Sequence, residues 1–351
     1  MAFLTLILDA PGPPLLFEEI DRFIEMDLAI TLNLHYFFEK DLIKDHYGAR
    51  IHYVDIDCHD KSAFIAAVVK DGGYNGFKTR LNISLDAEVL NACASPILNN
   101  PLRVIAQAGV GINHIDGQEA ARCGVTVLNT PGSNSVAVAE YVLAQTLFLS
   151  RDLNHYSAET HQGRWSKGSL APSREIGELT LGLVGTGRIA QVVAAKARAL
   201  GMKVIATGSA RFNKEASLTL KLERRETLDQ LLQDADVVSI HTPLSAETRG
   251  LFGYERFARM RQGSILINTA RGGIVDEHAL ATFMTQSPGH IKAVAIDTFC
   301  KEKNQFDSPL VGIANAVLTP HIAGNTDAAI RTAFTEIIGK LHAFITSSTL
   351  R

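Results

Sequence analysis

The chain has 351 residues, 46% hydrophobic and 20% charged, the composition of a soluble globular protein. Its 34 basic and 37 acidic side chains are mixed along the chain and leave a net charge of −3, which excludes a basic nucleic-acid face and an anion-seeking membrane surface. At this length two domains are expected, since single cores stop growing at about 250–300 residues.

The opening MAFLTLILDAPGPP carries an apolar run with no positive flank before it, so it reads as a buried first strand and not as a signal peptide. Strand-like IHYVDI (51–56) and helical SAFIAAVVKD (62–71) follow, and residues 1–128 are expected to form a smaller α/β domain. Thr130-Pro131-Gly132 then breaks the chain before a long apolar helix beyond Asn134. From about 178, short runs alternate with helical patterns: LTLGLVG (179–185), KVIATG (203–208), DVVSIHTP (236–243), SILINTA (264–270), KAVAID (292–297) and AVLTP (316–320). Val, Ile and Leu dominate these runs with little polar alternation, as in strands covered on both faces. The spacing predicts a parallel, doubly wound sheet over 129–325. A last helix near 326–344 is expected to return to the first domain, which would then comprise 1–128 and 326–351, with a cleft at the two crossings. Cys58, Cys93, Cys123 and Cys300 lie far apart without a C-x-x-C pair, which suggests reduced thiols in a cytoplasmic protein; no metal site is expected. No apolar stretch approaches the ~20 residues of a membrane span.

The turn after the first run of the second domain reads Gly185-Thr186-Gly187-Arg188-Ile189-Ala190. Following a buried strand and opening a helix, this G-x-G-x-x-A pattern has the context of a dinucleotide site. The first glycine makes the tight turn, the second admits a pyrophosphate, and the small third residue lets helix and strand pack closely. An acid that takes the adenosine ribose is normal about 20 residues later. Gly208 stands there instead, 23 residues after Gly185, followed by Ser209 and Arg211. Loss of the acid with a nearby guanidinium favours NADP over NAD; a plain solvated loop is the alternative reading.

AGVGINHID (108–116), NTPGSNSVAVAE (129–140), LGLVGTGRIAQ (181–191), HTPL (241–244), INTARGGIVDE (267–277), AIDTFCKE (295–302) and LTPHIAG (318–324), in this order, resemble the D-isomer-specific 2-hydroxyacid dehydrogenases. The resemblance runs from about Arg80 to Asp327. It implies a Rossmann domain beside a flavodoxin-like substrate domain, and a catalytic trio. Arg271 would hold the substrate carboxylate and polarise the ketone. His321 would exchange the proton, as imidazole does near neutrality, and Glu302 would fix its tautomer. The resemblance further implies that Val110 and Gly111 offer backbone amides to the carboxylate, and that Arg188 and Ile189 lie at the pyrophosphate. It places Asp297 near the nicotinamide carboxamide, and Thr242, Pro243, Thr269, Ala270 and Gly324 along the cofactor groove. Arg80, with Lys78 nearby, aligns with a loop facing the substrate and would meet a second anionic group, or else be solvated. His241 and His114 read as structural.

Each member of the trio also has an ordinary reading: Arg271 as a surface ion-pairing residue, Glu302 as a solvated acid between Lys301 and Lys303, His321 as a core histidine. Three departures stand out: Asn113 where the family commonly has Asp, Lys303 where a proline is common, and a slightly longer spacing from Arg271 to Glu302. The resemblance implies an NAD(P)H-dependent reductase of small 2-keto acids, with glyoxylate or hydroxypyruvate preferred. D-lactate or other 2-keto acid dehydrogenation, and a nucleotide-sensing corepressor of the same fold, are the alternatives. The helix after Asn134 resembles the family's dimer-forming element, so a homodimer is expected.

Overall fold

Two parallel sheets organise the chain. The computed structural model describes residues 3–80, 83–165, 167, 172–208, 222–302 and 305–349. The chain divides into two compact units, 1–134 with 326–351 and 135–325, so the break comes at Asn134 where the sequence placed it at 128.

In unit 1, β1 (Thr5–Ile7), β2 (Ile30–Asn33), β3 (His52–Val54), β4 (Gly76–Thr79), β5 (Val104–Gln107) and β6 (Thr126–Leu128) pair in the order β3-β2-β1-β4-β5-β6, all parallel. Without β3 this is the 2-1-3-4-5 order of flavodoxin-like sheets, and β3 adds an outer strand. Its helices are α1 (Leu15–Glu25), α2 (Lys40–Tyr47), α3 (Lys61–Lys70), α4 (Ala87–Cys93) and α5 (Gly117–Arg122). Asp60, Asp86 and Asp116 start α3, α4 and α5, their carboxylates accepting backbone N–H groups of the first turn. Side chains alternate between the two faces: Ile7, Val104 and Ala106 join one core with α1, while Leu6, Phe77 and Ile105 join another.

In unit 2, α6 (Ser135–Ser150) and α7 (Leu153–His161) precede the sheet. β7 (Thr180–Val184), β8 (Lys203–Thr207), β9 (Glu223–Arg224), β10 (Val237–Ile240), β11 (Ser264–Asn268), β12 (Ile291–Ile296) and β13 (Ala316–Leu318) pair as β13-β12-β11-β10-β7-β8-β9. This is the doubly wound 3-2-1-4-5-6 order with a seventh strand. The connecting helices are α8 (Arg188–Ala199), α9 (Leu228–Asp234), α10 (Tyr254–Arg259) and α11 (Glu277–Gln286). Leu181 and Leu183 of β7 face the core shared with α6 and α8, and Val184 faces the one shared with α9 and α11. Both faces are dry, which is why the strands read as near-continuous apolar runs. The chain then returns to unit 1 as α12 (Asp327–Thr349), where Phe334, Ile337, Ile338 and Leu341 pack among Ile7, Leu16 and Ile20.

Candidate active site

The carboxyl ends of β7, β11, β12 and β13 carry the chemistry-bearing residues of unit 2, the edge at which open α/β sheets place ligands. Gly185 ends β7 with φ +108°, and a Cβ there would stand 2.5 Å from the His241 carbonyl oxygen. Both the backbone angle and the space therefore require glycine. Gly187 precedes α8 with open space around the position of its missing Cβ and no side chain capping the helix. Ala190 is fully buried between helix and sheet. Arg188 and Ile189 form the first turn of α8, where a helix end attracts anions.

At the tip of β11, buried Asn268 clamps the turn. Its Oδ1 accepts the Ala270 N–H at 3.1 Å and its Nδ2 donates to the Arg271 carbonyl at 3.2 Å. Arg271 is half-buried, with Nη1 donating to the Ala270 carbonyl at 2.7 Å. A Cβ on Gly272 would meet the Phe299 carbonyl oxygen at 2.0 Å, so only glycine lets this turn lie against the segment leading to Glu302. Desolvation lowers the Arg271 pKa from its usual value, while the nearby Glu302 charge opposes that. Arginine stays charged regardless.

Glu302 reaches His321 at 3.1 Å from Oε2 to Nδ1, and its Oε1 accepts the Phe299 N–H at 3.1 Å. Burial pushes this carboxyl upward. The hydrogen bond and charge of His321, the Phe299 N–H and Arg271 outweigh it, and the pKa lies below the usual carboxylate value. Glu302 is thus a partnered, part-exposed acid and not a freely solvated one, and His321, with 43% of its side chain exposed, is not a core histidine. His321 holds φ +57°, a left-handed angle unusual for a residue with a Cβ. Asp297, fully buried after β12, secures that turn: Oδ1 accepts from Thr319 Oγ1 at 2.6 Å and the Ile322 N–H at 2.9 Å, and Oδ2 accepts the Ala323 N–H at 2.9 Å. Gly324 follows directly. Glu277 of α11 anchors the far side of the Glu302 loop, accepting the Cys300 N–H at 2.8 Å and the Ser308 hydroxyl at 2.6 Å.

This arrangement has counterparts of known family. Residues 143–323 match the model of the D-isomer specific 2-hydroxyacid dehydrogenase NAD binding domain. A D-3-phosphoglycerate dehydrogenase of Mycobacterium tuberculosis is 37% identical over 286 residues, 80% of this chain and 51% of that protein. The chain belongs to the D-isomer-specific 2-hydroxyacid dehydrogenase family. A hydroxypyruvate reductase of Thermotoga maritima is 37% identical over 68% of this chain and 76% of its own length. The structure of an Aquifex aeolicus D-lactate dehydrogenase, complexed with NAD and lactic acid, superposes with a TM-score of 0.76 at 25% identity over 98% of this chain and 96% of that one. The chain spans about half the length of the phosphoglycerate dehydrogenases it matches.

Family membership brings a nicotinamide nucleotide into question, and unit 2 fits one. The space over Gly187 is open, and the Thr269 hydroxyl beside Ala270 is buried without a hydrogen-bond partner, as a groove that receives a polar ligand requires. Thr242 is half-buried beside Gly185, and Pro243 is exposed with its carbonyl accepting the Thr248 hydroxyl at 2.7 Å. His241 pairs with Ser239 Oγ at 2.9 Å, and burial lowers its pKa to about 4. It is a neutral structural histidine. Ser209 and Arg211 lie outside the described residues, as does Lys303.

Unit 1 carries the remaining candidates. Val110 and Gly111 sit half-exposed after β5; Asn129 Nδ2 donates to the Val110 carbonyl at 3.0 Å, and among the described residues no protein acceptor takes their two amides. The Arg80 backbone is held on both sides, its N–H by Asp9 Oδ1 at 2.6 Å and its carbonyl by Gln107 Nε2 at 3.1 Å. Gln107 Oε1 in turn meets His114 Nε2 at 3.2 Å. Lys78 is neither a substrate contact nor solvated. It is fully buried, 2.6 Å from Glu19 of α1, and donates to the Asp9 carbonyl at 2.9 Å.

Asn268, Glu277, Thr319, Asp9 and Gln107 were not singled out from sequence. The signal for Asn268 was present in SILIN, an amide closing an otherwise apolar strand. The others depend on which loops meet, and no local pattern carries that.

Proposed function

We propose that this protein reduces a small 2-keto acid to the D-2-hydroxy acid, with glyoxylate or hydroxypyruvate as substrate and NADPH as donor. The observation carrying the proposal is the His321–Glu302 pair beside Arg271, with His321 set at a left-handed backbone angle. Strain of that kind gathers at functional sites. When bound, a reduced nicotinamide cofactor supplies the hydride that reaches carbon 2. Arg271 binds the carboxylate, where a guanidinium makes paired hydrogen bonds and draws electron density from the ketone. With the imidazole doubly protonated, Glu302 accepts from Nδ1 of His321 and Nε2 hands its proton to the ketone oxygen. The carbonyl thereby gains a hydride at carbon and a proton at oxygen, and the deprotonated imidazole is reprotonated from water. Val110 and Gly111, in unit 1, carry backbone amides of the kind that suit an anion.

The NADP preference is inferred from Gly208 where a ribose-binding acid is usual, with Ser209 and Arg211 after it. The proposed assembly is a homodimer through α6, which exposes Val136 and Leu147 along one side. A phosphorylated 2-hydroxy acid is the second reading, favoured by the identity to a D-3-phosphoglycerate dehydrogenase over 80% of the chain. Initial rates with glyoxylate, hydroxypyruvate and 3-phosphohydroxypyruvate, each with NADPH and NADH at equal concentration, separate these readings. Fast NADPH consumption with the first two supports the proposal. Preference for the phosphorylated acid with NADH overturns both substrate and cofactor assignments. Nucleotide binding without turnover points to a sensor.

A further inference from the structure

The loop carrying His321 is tied to a helix that contributes nothing else to the trio. Tyr141 of α6 places its hydroxyl 2.5 Å from Thr319 Oγ1, two residues before His321. A hydroxyl has one proton to give, and an ionised carboxylate can only accept. Thr319 spends its proton on Asp297 Oδ1, 2.6 Å away, so Tyr141 must be the donor to Thr319. The bonds therefore run in one direction, Tyr141 to Thr319 to Asp297. Asp297 also collects the Ile322 and Ala323 N–H groups on the far side of His321. The His321 N–H closes onto the Thr319 carbonyl at 2.9 Å. His321 is thus held at both flanks by one carboxylate, and Tyr141 orients the flank that precedes it.

We propose that Tyr141 is a positioning residue for His321, acting through Thr319 and Asp297 so that α6 sets the pose of the imidazole. Donation into the Thr319 hydroxyl strengthens the bond that Thr319 makes in turn. It also fixes that hydroxyl's rotor toward Asp297. The left-handed angle at His321 persists because the surroundings over-determine it, and Tyr141 adds the contribution that comes from α6.

The proposal rests on the reading of His321 as the proton donor, and the test keeps the two apart. Steady-state kinetics with glyoxylate are measured for the full chain and for Tyr141→Phe, Thr319→Val, His321→Gln and Tyr254→Phe. The last is a control tyrosine that donates to Gln286 at 3.0 Å. Imidazole nitrogen resonances of the protein without added nucleotide are recorded alongside. Tyr141→Phe is expected to lower kcat about three- to tenfold, the worth of one hydrogen bond. KM for the nucleotide should be unchanged, Tm should fall by no more than about 4 °C, and the His321 nitrogen signals should shift. Thr319→Val should reproduce this, and Tyr254→Phe should not. Unchanged kcat and unmoved imidazole signals in Tyr141→Phe, with His321→Gln inactive, overturn the proposal alone. Full activity in His321→Gln overturns the acid reading and the proposal with it.

Discussion

The two units build the carboxyl edges of their parallel sheets with opposite uses of charge. Unit 1 closes the end of β4 with Lys78 and Glu19, both entirely buried and 2.6 Å apart, and spends that cation on the Asp9 carbonyl. Unit 2 fixes its strand ends with Asn268 and Asp297, whose oxygens collect backbone N–H groups, and leaves Arg271, Glu302 and His321 part-exposed. A charge sealed from water inside the fold can position a loop, but it cannot meet a substrate. A charge held by one partner at the rim can. The comparison separates architecture from chemistry within the same fold edge, and substitutions on the two sides should separate in the same way.

The largest effect is expected at the rim of unit 2. Replacing His321 by Gln removes the proposed proton donor and should cut kcat by about 10²–10⁴-fold, measured as glyoxylate-dependent nucleotide oxidation, with little change in Tm. Loss of stability instead of rate would place His321 on the architectural side.

In unit 1 the order of effects should invert. Lys78→Met strands Glu19 without a partner and should cost about 3–5 kcal/mol of stability, seen in denaturant unfolding, while kcat of the folded fraction holds. Burial already raises the Glu19 pKa, with Lys78 opposing that rise. Adding Glu19→Leu to Lys78→Met should restore most of the loss, because an apolar pair of similar volume can replace a buried ion pair. If the double variant stays as unstable as the single one, the cost comes from packing and not from the orphaned charge.

Between these lies Gly272→Ala. A methyl 2.0 Å from the Phe299 carbonyl forces the Arg271 turn away from the Glu302 loop. A loss of about 1–3 kcal/mol in stability is expected, the usual cost of overpacking, together with a rise in KM for the keto acid. A stability loss with unchanged KM would detach the Gly272 contact from substrate binding.

The contrast between the units also governs what the sequence discloses. Unit 2 is dry on both sheet faces, so β7, β8, β10, β11 and β13 fall inside the apolar runs, β12 starts one residue before its run, and Gly185 follows the first strand. In unit 1, β2, β4, β5 and β6 are three or four residues long. Gly76-Phe77-Lys78-Thr79 does not resemble a central strand, because lysine there is tolerable only once Glu19 of α1 lies over it. Glu19 in turn interrupts the inward stripe of Leu16, Ile20 and Phe23. Each residue of the pair hides the element that contains it, and the reason becomes visible only after folding. β9 is too short to register and pairs along just two residues of β8. Arg271, Glu302 and His321 stand in motifs that the sequence displays, and Asp297 was named there for a place near the nicotinamide, whereas Asn268 and Thr319 work by hydrogen bonds to loops that tertiary structure brings together.

The smallest expected effect concerns pH. The Glu302 pKa is lowered in the folded protein, through His321 first, then the Phe299 N–H and Arg271, against the opposing pull of burial. A carboxyl depressed on folding stabilises the native state above its unfolded pKa, and that contribution fades as pH falls through the folded value. The gain from this pair should therefore be present at neutral pH and lost on acidification below the ordinary glutamate range. Its size should be modest, since both side chains retain solvent contact. Comparing Tm against pH for the native chain and Glu302→Gln measures it: the two curves should diverge slightly above the ordinary Glu pKa and converge in acid. Curves that diverge on acidification would mean that Glu302 is held protonated, and a neutral acid would no longer supply the charge that favours an imidazole carrying protons on both Nδ1 and Nε2.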